Sequence, residues 1–172
     1  AVGRLAPQKD YDTLLDAVAG WGRRKPQPLV AVAGSGPEHD RLQRIIDGRG
    51  LAVRLLGHRH DVTDLLAAAD VYLLTSTWEA RALVVQEAMR AGVAVVATAV
   101  GGVPELVDDA AVLVPAGDAA AVARAVVDLL DDKERRRELA GRGLALSANW
   151  PDEDDAARQV AAVYTELAGR SC

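Results

Sequence analysis

Five short apolar runs, each closed by a turn, decide what this chain can fold into. LVAVAGSGP (29–37) is rich in β-branched residues and is stopped by Gly-Ser-Gly, as for a strand buried on both faces that feeds a helix. AVRLLG (52–57), DVYLLTS (70–76), VAVVAT (93–98) and AAVLVP (110–115) repeat the pattern. Between them Tyr11, Leu14, Leu15 and Val18 share one helical face, as do Leu42, Ile45 and Ile46, and then Val122, Val126, Leu129 and Leu130. Asp10, Asp61 and Asp118 stand where helix N-caps are wanted. Buried strands alternating with amphipathic helices predict an α/β fold, a doubly wound parallel sheet with helices on both faces. Such sheets bind ligands at the carboxyl ends of their strands.

From about residue 118 the chain reads as nearly all helix: one to about Asp132, another from Lys133 to about Ala148, and a last one opened by Asn149, Trp150 and Pro151. Pro151 suits a first helical turn, where its missing N–H costs nothing. No linker or repeat interrupts the sequence, so residues 1–172 read as one domain. AVGRL reads as the end of a strand of which only Ala1 and Val2 remain, where about five residues are usual. The expectation is a sequence that begins partway through a longer protein.

Composition narrows the function classes. Half of the 172 residues are apolar and 26% are charged, enough for one globular core. A net charge of −5 argues against nucleic acid as the main partner, because no basic excess neutralises a phosphate backbone. Any anion must be met locally. The single cysteine, Cys172, has no mate, so neither a disulfide framework nor a thiolate cluster is expected and a reducing, cytoplasmic setting is the default. Charges break every apolar run well before 18 residues, so no membrane span or signal peptide is expected.

Several turns offer chemistry. Gly34-Ser35-Gly36 follows a strand as in a dinucleotide fingerprint, but position 39 is His39 and position 54 is Arg54 rather than the required Gly and acid. Nicotinamide binding is not expected; a plain tight turn and a loop lining a ligand pocket both stay open. Gly3-Arg4-Leu5, followed by Lys9 beside a helix start, makes a diphosphate cradle: glycine admits close backbone approach, Arg grips phosphate as a fork and Lys adds a point charge. Taken alone, the same cations also read as solvated surface. Asp10-Tyr11-Asp12 matches a metal-binding pattern, but these aspartates are better used capping the helix that carries Tyr11 and Leu14. His58 and His60 beside Asp61 lack a fourth ligand, so no metal site is assigned.

Glu79 and Glu87 lie eight positions apart in TSTWEARALVVQEAMRAGVAVVAT (75–98). Glu79 falls in the loop at a strand's carboxyl end and Glu87 on the helix behind it. Two separated carboxylates can accept hydrogen bonds from hydroxyls at two places on one elongated ligand. Their apolar neighbours, Leu83, Val84, Val85, Ala88 and Met89, set them apart from ordinary surface acids, since a buried charge is costly without a partner.

Together these segments resemble the C-terminal half, nucleotide-sugar-binding and Rossmann-like, of retaining GT-B glycosyltransferases of the family-four type. The likeness runs from Gly3 to about Tyr164. It is carried by GRLAPQK (3–9), AGSGP (33–37), LLGHRHDVTDLLAAADVYLLTSTWE (55–79), the E-x7-E pair, VGGVPELV (100–107) and LVPAGD (113–118), with Trp150 and Tyr164 similar to the closing helix. The resemblance implies that Arg4 and Lys9 neutralise the donor diphosphate, with Gly3 and Gly34 in the turns around it. It implies that Glu79 contacts sugar hydroxyls as the catalytic-site acid, that Glu87 holds the ribose, and that backbone from Gly57 to Arg59 places the base. No essential metal or other cofactor is implied. The acceptor would sit on an absent N-terminal domain.

One departure stands out. The family follows its first glutamate with Gly and an aromatic or aliphatic residue, whose backbone amides approach the donor; here Ala80, Arg81, Ala82 and Leu83 occupy that stretch. Ala lacks glycine's freedom at positive φ, and the Arg81 side chain would crowd the sugar or add a phosphate contact. A noncatalytic, degenerate module is therefore the competing reading, with a sugar-nucleotide epimerase third.

Overall fold

The computed structural model describes residues 1–21, 25–151 and 153–169. Strands β1 (Val30–Ala33), β2 (Val53–Gly57), β3 (Val71–Leu74), β4 (Ala94–Thr98) and β5 (Ala111–Val114) fall within two residues of the five apolar runs. Helices are α1 (Tyr11–Gly20), α2 (His39–Arg49), α3 (Val62–Ala67), α4 (Leu83–Arg90), α5 (Val103–Val107), α6 (Ala119–Asp131), α7 (Lys133–Ser147) and α8 (Glu153–Gly169). A 3-10 turn, Pro7–Lys9, precedes α1. The short α5 escaped the sequence reading because five residues are too few to display a helical period.

Every strand pairing is parallel, in two ladders: β1 with β2, and β3-β4-β5. The doubly wound class is as expected, but the ladder is divided. Val2 bridges Ala33 on the flank of β1, and its link to β3 is a 3.4 Å hydrogen bond from Tyr72 Oη to the Val2 carbonyl.

The strands alternate their side chains between two apolar clusters, as strands covered on both faces must. Along β4, Val96 joins the cluster under α1, α2 and α6 with Leu14, Val32, Leu42 and Leu129. Its neighbour Val95 joins the opposite cluster under α4 and α5 with Val85, Met89 and Val103. All five residues of β4 are buried; each such Val or Leu contributes about 1.5 to 3 kcal/mol.

Local capping follows the sequence at two of three positions. Asp10 accepts from the Thr13 amide at 3.3 Å and Asp118 from the Ala121 amide at 2.8 Å. Asp61 does not cap α3 with its side chain: Arg59 has taken the carboxylate, Nε to Oδ1 at 2.7 Å. Asp12 does not cap α1 either; Arg41 of α2 grips both its oxygens at 2.8 Å. Pro151 stands two residues ahead of α8 rather than in its first turn. Among the described residues no helix is long and apolar enough to cross a membrane.

Candidate functional site

Three turns at the carboxyl ends of adjacent segments are laced together by backbone. Gly3 N donates to Ala33 O at 2.9 Å, Leu5 N to Ser35 O at 3.0 Å, and Gly34 N to Gly57 O at 2.7 Å. A β-carbon at Gly34 would lie 1.9 Å from the Gly3 carbonyl oxygen, and one at Gly36 would lie 2.3 Å from that of Leu5. Only glycine allows this approach. The two readings left open for Gly-Ser-Gly therefore hold together: it is a tight turn and it lines a cavity. That cavity, about 490 Å³, is bordered by Gly3, Arg4, Gly34, Ser35, His58 and Arg59. Arg59 is paired with Asp61, whose carboxylate raises the guanidinium's pKa while its own falls. His58 meets His60 edge to face, ring centres 4.7 Å apart.

Beside this cavity lies a buried ion pair. Lys9 Nζ reaches Glu79 Oε1 at 2.5 Å, and Ser76 Oγ donates to the same oxygen at 2.7 Å. Glu79 is only 6% exposed, with a partner for its charge. The loop carrying it is tied on both sides. Thr77 N donates to Gln8 O at 2.9 Å, Thr75 Oγ1 to Lys9 O at 3.0 Å, and Gly102 N to Glu79 O at 3.1 Å. A β-carbon at Gly101 would lie 1.9 Å from Glu79 O, so the Gly101-Gly102 turn ahead of α5 is pressed on this loop as Gly34 is on Gly3.

Glu87 behaves differently. It is exposed on α4, so the argument from costly burial applies to Glu79 and not to Glu87. Its charge is felt beneath the site, where burial first, then Tyr11, Glu79 and Glu87, raise the pKa of Tyr72.

With this geometry in place, comparison with known proteins is decisive. Residues 1–144 match the family model of glycosyl transferases, group 1. The chain belongs to the group 1 glycosyltransferases. It is 33% identical to the lipopolysaccharide core biosynthesis mannosyltransferase LpsB of Rhizobium meliloti over 96% of its own length and 50% of that protein. It is 30% identical to the alpha-D-kanosaminyltransferase of Streptomyces kanamyceticus, covering 96% of itself and 45% of that enzyme. Among solved structures it is similar to Anabaena HepE in complex with UDP, with TM-score 0.85, 30% identity, and coverage of 96% of this chain and 48% of that one. The sucrose-phosphate synthase of Thermosynechococcus elongatus superposes with TM-score 0.88 at 29% identity, covering 99% and 46%. The chain spans about half the length of the curated relatives it matches.

Within this group 1 glycosyltransferase chain, Gly3, Arg4, Gly34 and Arg59 meet at one cavity with Gly57 bonded behind it, and Lys9 and Glu79 meet beside it. The Ala80-Arg81-Ala82 stretch is less disruptive than its composition suggested. Among the described non-glycine residues only Asp10 and Asp108 have positive φ, so alanine at 80 and 82 carries no left-handed strain. Arg81 folds back onto α4: with its amide oxygen toward Arg81, buried Gln86 accepts from Nε at 2.6 Å and Nη2 at 3.3 Å. The Leu83 amide donates to Arg81 O at 2.9 Å, so it is engaged within the loop rather than turned toward a ligand.

The sequence reading missed Ser76, Thr98, Gly101 and Tyr11. Thr98 Oγ1 donates to Ser76 O at 2.6 Å beneath Glu79; the VGG spacing after VAVVAT was the one available signal. Tyr11 had been assigned to the core, yet its hydroxyl donates to Gly3 O at 3.2 Å. Burial, then the charge of Glu79, pushes its pKa from 10.0 up to about 12. The neutral phenol is therefore favoured by folding, a contribution complete below about pH 10 and lost as pH rises through about 12. Tyr11→Phe should cost about 1 kcal/mol at neutral pH and flatten the loss of stability between these values, as read by denaturant titration across pH.

Proposed function

We propose that this chain is the donor-binding domain of a retaining glycosyltransferase, holding a nucleotide diphosphate sugar for transfer to an acceptor on a separate N-terminal domain. The observation that carries this reading is the meeting of the Arg4 turn, Lys9 and Glu79 at neighbouring strand ends. Its support is the UDP and glucose in the similar HepE structure, TM-score 0.86 at 29% identity. Arg4 and Lys9 face the diphosphate; Lys9 has three donors and can keep Glu79 while gripping a phosphate oxygen. Glu79, set by Lys9 and Ser76, accepts from sugar hydroxyls. Glu87, exposed on α4, accepts from the ribose, and backbone at Gly57 to Arg59 faces the base. Catalysis then consists of positioning and of stabilising the departing diphosphate, with the two side-chain cations, rather than a metal, assigned to its charge. On α8, Val160, Val163, Tyr164 and Leu167 form an exposed stripe at helical spacing, which suits a partner domain. The chain alone is expected to bind nucleotide and to turn over poorly.

Calorimetric titration with UDP, GDP, ADP, their sugar conjugates and NAD tests this. Saturable binding of one nucleotide diphosphate is expected, weakened about tenfold or more by Arg4→Ala and by Glu87→Ala, the loss of a charged hydrogen bond. A folded chain that binds none of them, or whose affinity ignores both substitutions, rules the reading out.

A further inference from the structure

The turns at the carboxyl ends of the strands lie in a row. Gly57 closes β2, Gly34 follows β1, Gly3 and Arg4 come next, then Lys9 with Glu79 after β3, and last the Gly101-Gly102 turn after β4. The row is joined at its far end through Ala80. Gly102 N donates to Glu79 O at 3.1 Å, and a β-carbon on Gly102 would lie 2.4 Å from Ala80 O. Arg81 follows directly, on the β4 side of Glu79, and it is not among the residues bordering the cavity around Arg4.

Two features distinguish Arg81 from a solvated surface cation. The first is its anchor: Nε and Nη2 both donate to the amide oxygen of Gln86, at 2.6 and 3.3 Å with that oxygen toward them. Gln86 is buried on the face of α4 that also buries Val85, Ala88 and Met89. A buried amide requires a partner, whereas a freely solvated arginine has no need of a fixed rotamer. The second feature is charge. Among the described residues no carboxylate pairs with Arg81, while Lys9 meets Glu79 and Arg59 meets Asp61. Its anchor is neutral, so its positive charge stays uncompensated at this end of the site.

The edge of the guanidinium left over decides what fits it. Arginine carries five N–H donors in a planar fork. Gln86 occupies the edge made by Nε and Nη2, which leaves the end-on edge, Nη1 with Nη2, for a carboxylate in bidentate contact. Glu87 is turned about 100° from Gln86 around α4, so the ribose assigned to Glu87 lies off this edge. With the base at Gly57 to Arg59, the diphosphate at Arg4 and Lys9, and sugar hydroxyls at Glu79, what lies beyond Glu79 is the far end of the transferred sugar.

We propose that Arg81, held by Gln86, reads a carboxylate on that sugar, so that the donor is a nucleotide-linked hexuronic acid. The proposal rests on the donor-binding reading and names its substrate class. A neutral hexose leaves the guanidinium edge to water; the C6 carboxylate of a uronate replaces that water with a charge-assisted pair.

Calorimetry on this chain tests it, using the free nucleoside diphosphate that binds and its glucuronic, galacturonic and mannuronic acid conjugates, each beside the parent hexose conjugate. At least one uronate should bind about tenfold or more tightly than its parent. Arg81→Met, which keeps the apolar stem at an exposed position, should bring that ratio to within about twofold. Gln86→Glu should do the same with Arg81 in place, because a carboxylate then occupies the guanidinium. A preference that survives Arg81→Met overturns the proposal, and one lost in Arg81→Met but kept in Gln86→Glu overturns the holding role of Gln86. Free nucleotide binding with no uronate preference overturns this proposal alone and leaves the donor-binding reading standing; a folded chain that binds no nucleotide overturns both.

Discussion

Gly34→Ala is expected to lose about 3 kcal/mol or more of stability and most of the nucleotide affinity. The added β-carbon would sit 1.9 Å from the Gly3 carbonyl oxygen, and the residue has φ +144, where side chains are rarely found. Neither strand end can retreat cheaply, because Gly3 N is bound to Ala33 O and Gly34 N to Gly57 O. The turns must therefore part, carrying Arg4 with them. A loss of this size lowers Tm by about 6 to 12 °C in a domain of this length. Gly48→Ala on α2, where an added β-carbon meets nothing within 4 Å, is the control; it should be neutral or stabilise by about 0.5 to 1 kcal/mol. Thermal melts in which the two variants behave alike would show that the close approach is not needed.

Lys9→Met should destabilise the chain by about 2 to 3 kcal/mol, and Glu79→Gln in the same background should restore most of it. Removing one member of a buried pair leaves the other charge unpaired, which costs about 3 to 5 kcal/mol when both are fully buried. Lys9 is 21% exposed in its side chain, against 8% for Glu79, so the lower figure is expected here. Ser76 Oγ still donates to Glu79 in the single variant, but one neutral hydroxyl does not replace an ammonium. The double-mutant cycle separates pairing from packing, since Met keeps the apolar stem of Lys. Equal losses in the single and double variants would show that the pair is not what holds this loop. The double variant, though stable, should bind a nucleotide sugar poorly, because both groups assigned to the donor are gone.

The chain itself, read residue by residue, determined the order of the five strands and the longer helices, the doubly wound class and the end of the sheet at which to look. These are local properties: a strand's β-branched run or a helix's stripe such as Leu42, Ile45 and Ile46 is written within about a dozen residues. Recognisable motif order supplied Arg4, Lys9, Glu79 and Glu87 as well. What the tertiary structure alone decided was how those residues differ. Glu79 is buried against a lysine 70 positions away, whereas Glu87, eight residues further on, stands exposed. Asp61 looked like a cap, but a guanidinium two residues before it won the carboxylate. Ala80 and Ala82 looked strained until their backbone proved to lie outside the left-handed region. Gly34 and Gly101 owe their identity to carbonyls of Gly3 and Glu79, contacts between segments that no single stretch encodes. Periodicity reports what one segment prefers, while a site is made where distant backbones approach within hydrogen-bond distance, and only the folded arrangement specifies those pairs.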